Sequence, residues 1–382
     1  MSNVLSKIVV SIKNRTFFTK VKRKFKKILN KNNSTSNSEL AALYAQTEAL
    51  SLQIKSLTAQ LDNVTGALGI MQNNLAETAA KNQTIMWQCF AADGETNIEA
   101  RKRFFRTLPP AVGTVRYVQT AVLILMKKLD SICRANGLIY WLDFDTLLGA
   151  IRHGGFVPWV CDATIGMPRS DADKLTQLLS HDQDICAEDE YTVIDGIFRR
   201  RLQVRYRNIE SGNEFFCVNI HLFDYCRSES MALWNKHLVL RAAFDTEFDR
   251  LSKSKTLISP DNRQDKYMAL FKAHKTKADK AVGASQTPTA YIISAFDNPA
   301  VGDAVKYCYR VADMFPLENI LFEGYNFQAP VCPEKFVLKQ YMDMYDIPDV
   351  MSPDINSNKN NEIYQGLEFV FDKYGINIEN IE

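Results

Sequence analysis

From Leu40 onward, apolar residues recur at alternating spacings of three and four: Leu40, Leu43, Thr47, Leu50, Ile54, Leu57, Leu61, Val64, Leu68, Met71 and Leu75. Leu40, Thr47, Ile54, Leu61, Leu68 and Leu75 take the a positions of a heptad and Leu43, Leu50, Leu57, Val64 and Met71 the d positions. A 3.5-residue period is the condition for a left-handed coiled coil. The stripe is narrower than that of an amphipathic helix packed on its own domain, so the pattern predicts self-association as a parallel dimer or trimer. Gly66 and Gly69 interrupt it at roughly 1 kcal/mol each relative to alanine.

Past a boundary near residues 93–99, Val115, Val118, Val122, Leu125, Leu129 and Ile132 trace a second amphipathic helix, with Gly137 placed to cap it. A mixed region follows. Leu138–Phe144 reads as a buried strand, Thr146–Arg152 as a short helix, Thr164–Met167 as a strand, Asp171–Leu179 as a helix and Phe215–Leu222 as a strand. Arg199, Arg201, Arg205 and Arg207, with Gln203 among them, share one parity of another strand, and Leu202, Val204 and Tyr206 share the other. That ladder suits either a solvated strand face or a groove for an anionic acceptor. Lys253–Lys280, with seven lysines and Pro260, and Ser352–Asn361 read as surface loops. The order of elements is that of an α+β protein with a mixed sheet and flanking helices. The organisation expected is an arm (1–32), a coiled coil (38–92), a folded domain (100–350) and a C-terminal tail segment (351–382).

Composition adds constraints. In 382 residues, 46% hydrophobic and 24% charged, the longest apolar run is the six residues Ala121–Met126, far short of the roughly 20 a spanning helix needs. Residues 1–31 hold ten lysines and arginines and no acid, against a net charge of +2 for the whole chain. Val21, Phe25, Ile28 and Leu29 share one side of that arm, as in a helix lying on an anionic membrane surface. A solubilising tail is the plain alternative. No nucleic-acid motif accompanies the charge, so nucleic acid is not expected as a partner. Eight scattered cysteines without a CxxC pair fit a reducing cytosol, with the chain peripheral at the inner face of the membrane.

The chemistry concentrates in residues 140–169, YWLDFDTLLGAIRHGGFVPWVCDATIGMPR. This run resembles the LicD family of phosphocholine transferases, related to the fukutin-type proteins and to the nucleotidyltransferase fold. The family form is YWLDxGTLLGAxRHxGFIPWDDDxDIGMPR. The resemblance continues at Val218–Tyr225 (VNIHLFDY, family form xDIFPxDY) and Phe315–Pro330, spanning about residues 105–350. It implies a nucleotidyltransferase-like mixed sheet, and transfer of phosphocholine or a similar phospho-substituent from a cytidine nucleotide donor to a cell-surface glycan acceptor. It also implies Mg2+ or Mn2+ clamped by carboxylates, because charge accumulates on the phosphate oxygens during displacement. Asp162, Asp143 and Asp145 are then the catalytic candidates, with Asp162 and Asp145 on the metal. Thr146 and Gly149, at a helix start, and Arg152, His153, Arg201 and Arg205 are the substrate-binding candidates.

The chain departs from the family form at the clamp. Asp-Asp-Asp-x-Asp after Pro-Trp is here Val160, Cys161, Asp162, Ala163, Thr164; the carboxylate of Asp-Ile-Phe-Pro is Asn219; and the glycine before Thr-Leu-Leu-Gly is Asp145. Three readings stay open. The charge is relocated to Asp143 and Asp145, two apart and on one face if the strand continues. The site binds a nucleotide or glycan without turning it over, as a scaffolding partner. Or Cys161, Asp162, Cys217 and His221 hold zinc, although Cys161 and Asp162 have opposite parity.

Overall fold

The computed structural model describes residues 36–209, 215–253, 262–298, 308–341, 343–347 and 360–381. The basic arm, and with it the expected membrane helix, lies outside them. The chain divides into two compact units, residues 1–97 and 98–382.

In the first unit, α1 is one helix over Ser36–Phe90, 55 residues long. The heptad stripe is uncovered along it: Leu50, Leu57, Leu68 and Leu75 are each at least half exposed. Gly66 and Gly69 have open space around their Cα atoms.

The second unit begins with α2 (Asn97–Thr107) and α3 (Thr114–Ala135). The predicted stripe of α3 is buried at Val118, Val122, Leu125 and Leu129. Gly137, at φ +62°, ends it: its N–H bonds to the Arg134 carbonyl and the N–H of Leu138 to that of Cys133, which satisfies the last carbonyls of the helix. The sheet follows as β1 (Trp141–Leu142), β2 (Ala163–Pro168), β3 (Ile185–Ile194), β4 (Ile197–Tyr206) and β5 (Cys217–Cys226), in the order β1-β2-β5-β4-β3. β2 and β5 run parallel and the other neighbours antiparallel, so the sheet is mixed and the class is α+β. β6 (Ala284–Ser285), β7 (Tyr291–Ser294) and β8 (Cys308–Arg310) extend it from the far end of β5.

Two expectations change here. The buried run Leu138–Phe144 yields only the two residues of β1: the Asp143 N–H still bonds to the Thr164 carbonyl across from β2, and Phe144 then turns through φ +45° into α4 (Phe144–Arg152). Lys253–Lys280 is not a loop in its described part. α7 (Arg263–Val282) packs against α6 (Met231–Ser252) by burying Tyr267, Phe271, Ala278 and Val282, a helical stripe that the lysines around it obscure. Phe198, Phe244, Phe248 and Phe296 complete that aromatic core.

α5 (Arg169–Leu179) packs on β2, β3 and β5. A hairpin of β9 (Glu318–Phe322) and β10 (Tyr325–Ala329) follows the sheet, then α8 (Pro333–Tyr341). In the C-terminal segment, α9 (Asn360–Tyr374) buries Ile363, Leu367, Val370 and Phe371 in the same core as α3. Of Ser352–Asn361, residues 352–359 lie outside the described ones.

Candidate functional site

The parallel pairing of β2 and β5 sets the site. Thr164 lies opposite Asn219 in register, and Gln203 of β4 lies opposite Asn219 on its other side. Period-two alternation puts these side chains on one face, with Asp162 just before β2. They form one hydrogen-bonded row. Arg205 Nη2 donates to Gln203 Oε1 at 2.7 Å, Gln203 Nε2 to Asn219 Oδ1 at 2.6 Å, and Asn219 Nδ2 to Asp162 Oδ2 at 2.6 Å. Asp162 keeps solvent access, yet its carboxyl is walled by protein. Desolvation first, and the negative charge of Asp145 second, push its pKa up, against the pull of the Asn219 amide.

The positions that carry the family's carboxylates therefore do meet in space, occupied here by a hydroxyl, an amide and one acid. Asn219 Nδ2 points hydrogen atoms at an Asp162 oxygen that would otherwise face a cation. Among the described residues no group of three or more His, Cys, Asp and Glu is placed to hold a metal ion. The residues present do not fit a clamped divalent pair. The zinc set also fails to gather, because His221 Nε2 lies 2.8 Å from Ser294 Oγ and 3.0 Å from Asn298 Nδ2. Its ring packs on Phe144 and Phe223, and burial lowers its pKa to about 3. Cys217 is buried and its thiol pushed up to about 12 by desolvation, then by Asp162, so it stays protonated.

Asp143 and Asp145 do not share a strand face, which corrects the parity expected of them. Asp143 is the N-cap of α4 and fully buried: Oδ1 accepts from the Phe144 N–H at 2.9 Å and from Gln340 Nε2 at 2.6 Å, and Oδ2 is buried without a partner. Asp145 sits in the first turn of α4, exposed, and accepts from the Tyr341 hydroxyl at 2.7 Å. An acid in that turn suits the helix dipole itself and competes with any phosphate for it.

Burial raises the Asp143 pKa to about 7, with Gln340 and Phe144 pulling the other way. The folded state thus holds a proton that the unfolded chain releases near pH 4. Stability is greatest below that value and falls as pH rises toward 7. Relative to Asp143→Asn, the natural protein should lose on the order of 2 kcal/mol between pH 5 and 8, read by urea denaturation at both. Parallel stability curves for the two proteins would contradict this.

The remaining motif residues have partners within the fold. Thr146 is buried, and its hydroxyl accepts from the Thr164 N–H at 2.8 Å, tying α4 to β2. A Cβ on Gly149 would lie 2.4 Å from the Gly155 carbonyl oxygen, so glycine lets the following loop cross the helix. Arg152 is buried, donates to the Met344 carbonyl at 3.1 Å and stacks 4.2 Å from the Phe105 ring; desolvation lowers its pKa to about 10. His153 packs on Phe105 and Trp159, and burial, then Arg152, lowers its pKa to about 3. Arg201 pairs with Glu190, and Arg205 with Glu188 at 3.0 Å, across β3. Two of the ladder's arginines thus pair with acids of the neighbouring strand, and a third, Arg207, donates to the Ile185 and Leu179 carbonyls.

Three groups without an assigned role acquire one. Glu323 Oε1 accepts from the Phe156 N–H at 2.9 Å while Oε2 pairs with Arg116 at 3.0 Å, clamping the loop after α4. Arg169 bonds Asp224 through Nε and Nη2 at 2.7 and 2.8 Å, and Asp297 at 2.5 Å. Gln203 has no acidic or metal-binding signature, and only the strand register shows that it reaches Asn219.

A mixed sheet whose first strand leads directly into a helix, with Asp162, Thr164 and Asn219 side by side at its parallel pair of strands, is the α+β frame of the second unit. Residues 137–257 match the LicD/FKTN/FKRP nucleotidyltransferase domain family. An uncharacterized protein of Rickettsia prowazekii (strain Madrid E) is 30% identical over 100 residues, 26% of this chain and 38% of the relative. One of Rickettsia typhi (strain ATCC VR-144 / Wilmington) is 38% identical over 55 residues, 14% of this chain and 18% of the relative. The chain thus spans well under half the length of these curated relatives.

Proposed function

We propose that the LicD-type domain engages the ligand classes of its family, a nucleotide-linked phospho-donor and a surface-glycan acceptor, as a binding or scaffolding module and not as a metal-clamped transferase. The observation that supports this reading is the 2.6 Å bond from Asn219 Nδ2 to Asp162 Oδ2. It places a hydrogen-bond donor where phosphocholine transfer in this family requires a cation-facing carboxylate oxygen, beside a Thr164 that carries no charge. The basic arm would hold the domain at an anionic membrane surface, and among the described residues no helix is long and apolar enough to cross a membrane.

The second reading keeps transfer activity, with a single Mg2+ or Mn2+ held between Asp145 and Asp162. It is favoured by the proximity through which Asp145 raises the Asp162 pKa. Thermal unfolding of the full chain with cytidine-diphosphate-linked choline, with and without Mn2+, separates the two. Binding without turnover predicts a rise in the midpoint from the nucleotide alone, no added rise with Mn2+ and no release of CMP. A Mn2+-dependent rise that Asp145→Gly abolishes, or CMP release, would favour transfer; no shift under any condition would remove the nucleotide from both readings.

A further inference from the structure

The apolar stripe of α1 is uncovered, with Leu50, Leu57, Leu68 and Leu75 exposed at 55, 63, 50 and 60%. We infer that a second copy of this chain covers it, in a parallel and in-register coiled coil that assembles without charge selection. Three observations carry this.

The first is area. From Leu40 to Leu75 the stripe is about 54 Å long at 1.5 Å per residue, and a helix is about 10 Å across. Closing it against a copy removes on the order of 1,000 Å² from water, the level a specific interface needs.

The second is the flanks. The g positions beside the seam include Gln46, Gln53 and Gln60, and the e positions Ser51, Thr58 and Thr65, all uncharged. Glu48, Lys55 and Asp62 fall at b, facing away. Coiled coils usually choose partner and orientation through charges at e and g. From Gln46 to Thr65 the flanks therefore set no charge against an identical helix.

The third is Thr47, the polar a position. In a parallel, in-register pair its hydroxyl meets the same hydroxyl of the copy. In an antiparallel pair overlapped over the same span it would lie at the level of Leu68, and the polar layer would not meet its own copy. One polar layer sets register in this way, at a cost in stability. Cys89, free and exposed, stands seven heptads on from Leu40, so it also falls at an a position and reports the register.

The full chain is tested by light scattering in 0.05 and 1 M salt, followed by mild oxidation and non-reducing electrophoresis. The expected mass is that of two or three chains at both salts. A cross-linked pair should form that Cys89→Ser abolishes, and that Leu68→Cys in the Cys89→Ser background restores. Leu57→Asp with Leu68→Asp should give a single-chain mass while the folded domain keeps its thermal transition. A single-chain mass for the natural protein would overturn the inference and leave the stripe to its own domain or to another protein. An assembly that cross-links at neither cysteine, or that dissociates in 1 M salt, would overturn the register and the charge independence.

Discussion

Thr164→Asp combined with Asn219→Asp should give the protein a three-carboxylate divalent-cation site. The two positions face each other in register on parallel strands, beside Asp162, so three carboxylates would converge on one face of the sheet. Asn219→Asp also replaces the amide that now donates to Asp162, while Gln203 Nε2 keeps an oxygen to bond. Without cation the crowded acids should raise each other's pKa and lower stability at pH 7. With Mn2+ at about 100 times its dissociation constant, the folded state should gain about 2.7 kcal/mol, visible as a cation-dependent rise in thermal midpoint. Either substitution alone adds one carboxylate and should give a much smaller rise. A double variant with a native circular dichroism spectrum and no response to Mn2+ or Mg2+ would show that the row of side chains is not the site of the family's clamp.

The reach of the sequence varied with how local each determinant is. The helix ended by Gly137 and the strand of alternating arginines follow from periodicity and one glycine, so both could be read in advance. β1 could not: seven residues of LIYWLDF look equally buried, and nothing in their pattern marks the turn at Phe144, φ +45°, where Asp143 caps the helix that follows. That turn is what separates Asp143 from Asp145. The lysine-rich stretch concealed α7, because the aromatics it buries at Tyr267 and Phe271 are outnumbered by charge. At the site, the motif located Asp162, Thr164 and Asn219 in the sequence. Gln203 and Asn298 stayed hidden, since neutral amides reveal a role only through the neighbours that register gives them. Gly149, Arg152 and His153 belong to the same dense run, yet they hold a loop and a C-terminal segment.

Arg169→Met should be the most damaging single change in the second unit, costing about 3–5 kcal/mol at pH 7. Arg169 closes the motif run and Asp224 lies in the second matched segment, and the two meet Asp297 in the interior. Their side chains are 13, 8 and 0% exposed. Tyr191 donates to the other Asp297 oxygen at 2.7 Å, and Lys275 stands 3.6 Å away. Burial alone would raise the Asp297 pKa, but the Arg169 and Lys275 charges and the two hydrogen bonds outweigh it and hold the carboxyl well below the ordinary range. In the natural protein this stabilisation is present above the unfolded carboxylate pKa near 4 and is lost only as pH falls below it. Without the guanidinium, Asp297 keeps only Lys275, at 3.6 Å and already paired with Asp279, and the interior carboxylate becomes harder to ionise than in the unfolded chain. The variant should then lose stability as pH rises through the carboxylate range, where the natural protein gains it. The gap between them should be widest near pH 7 and close toward pH 3, measured by urea denaturation across that interval. A gap that stays constant with pH would show that Arg169 contributes packing and not charge, and a loss under about 1 kcal/mol would show that Asp224 and Asp297 do not depend on it.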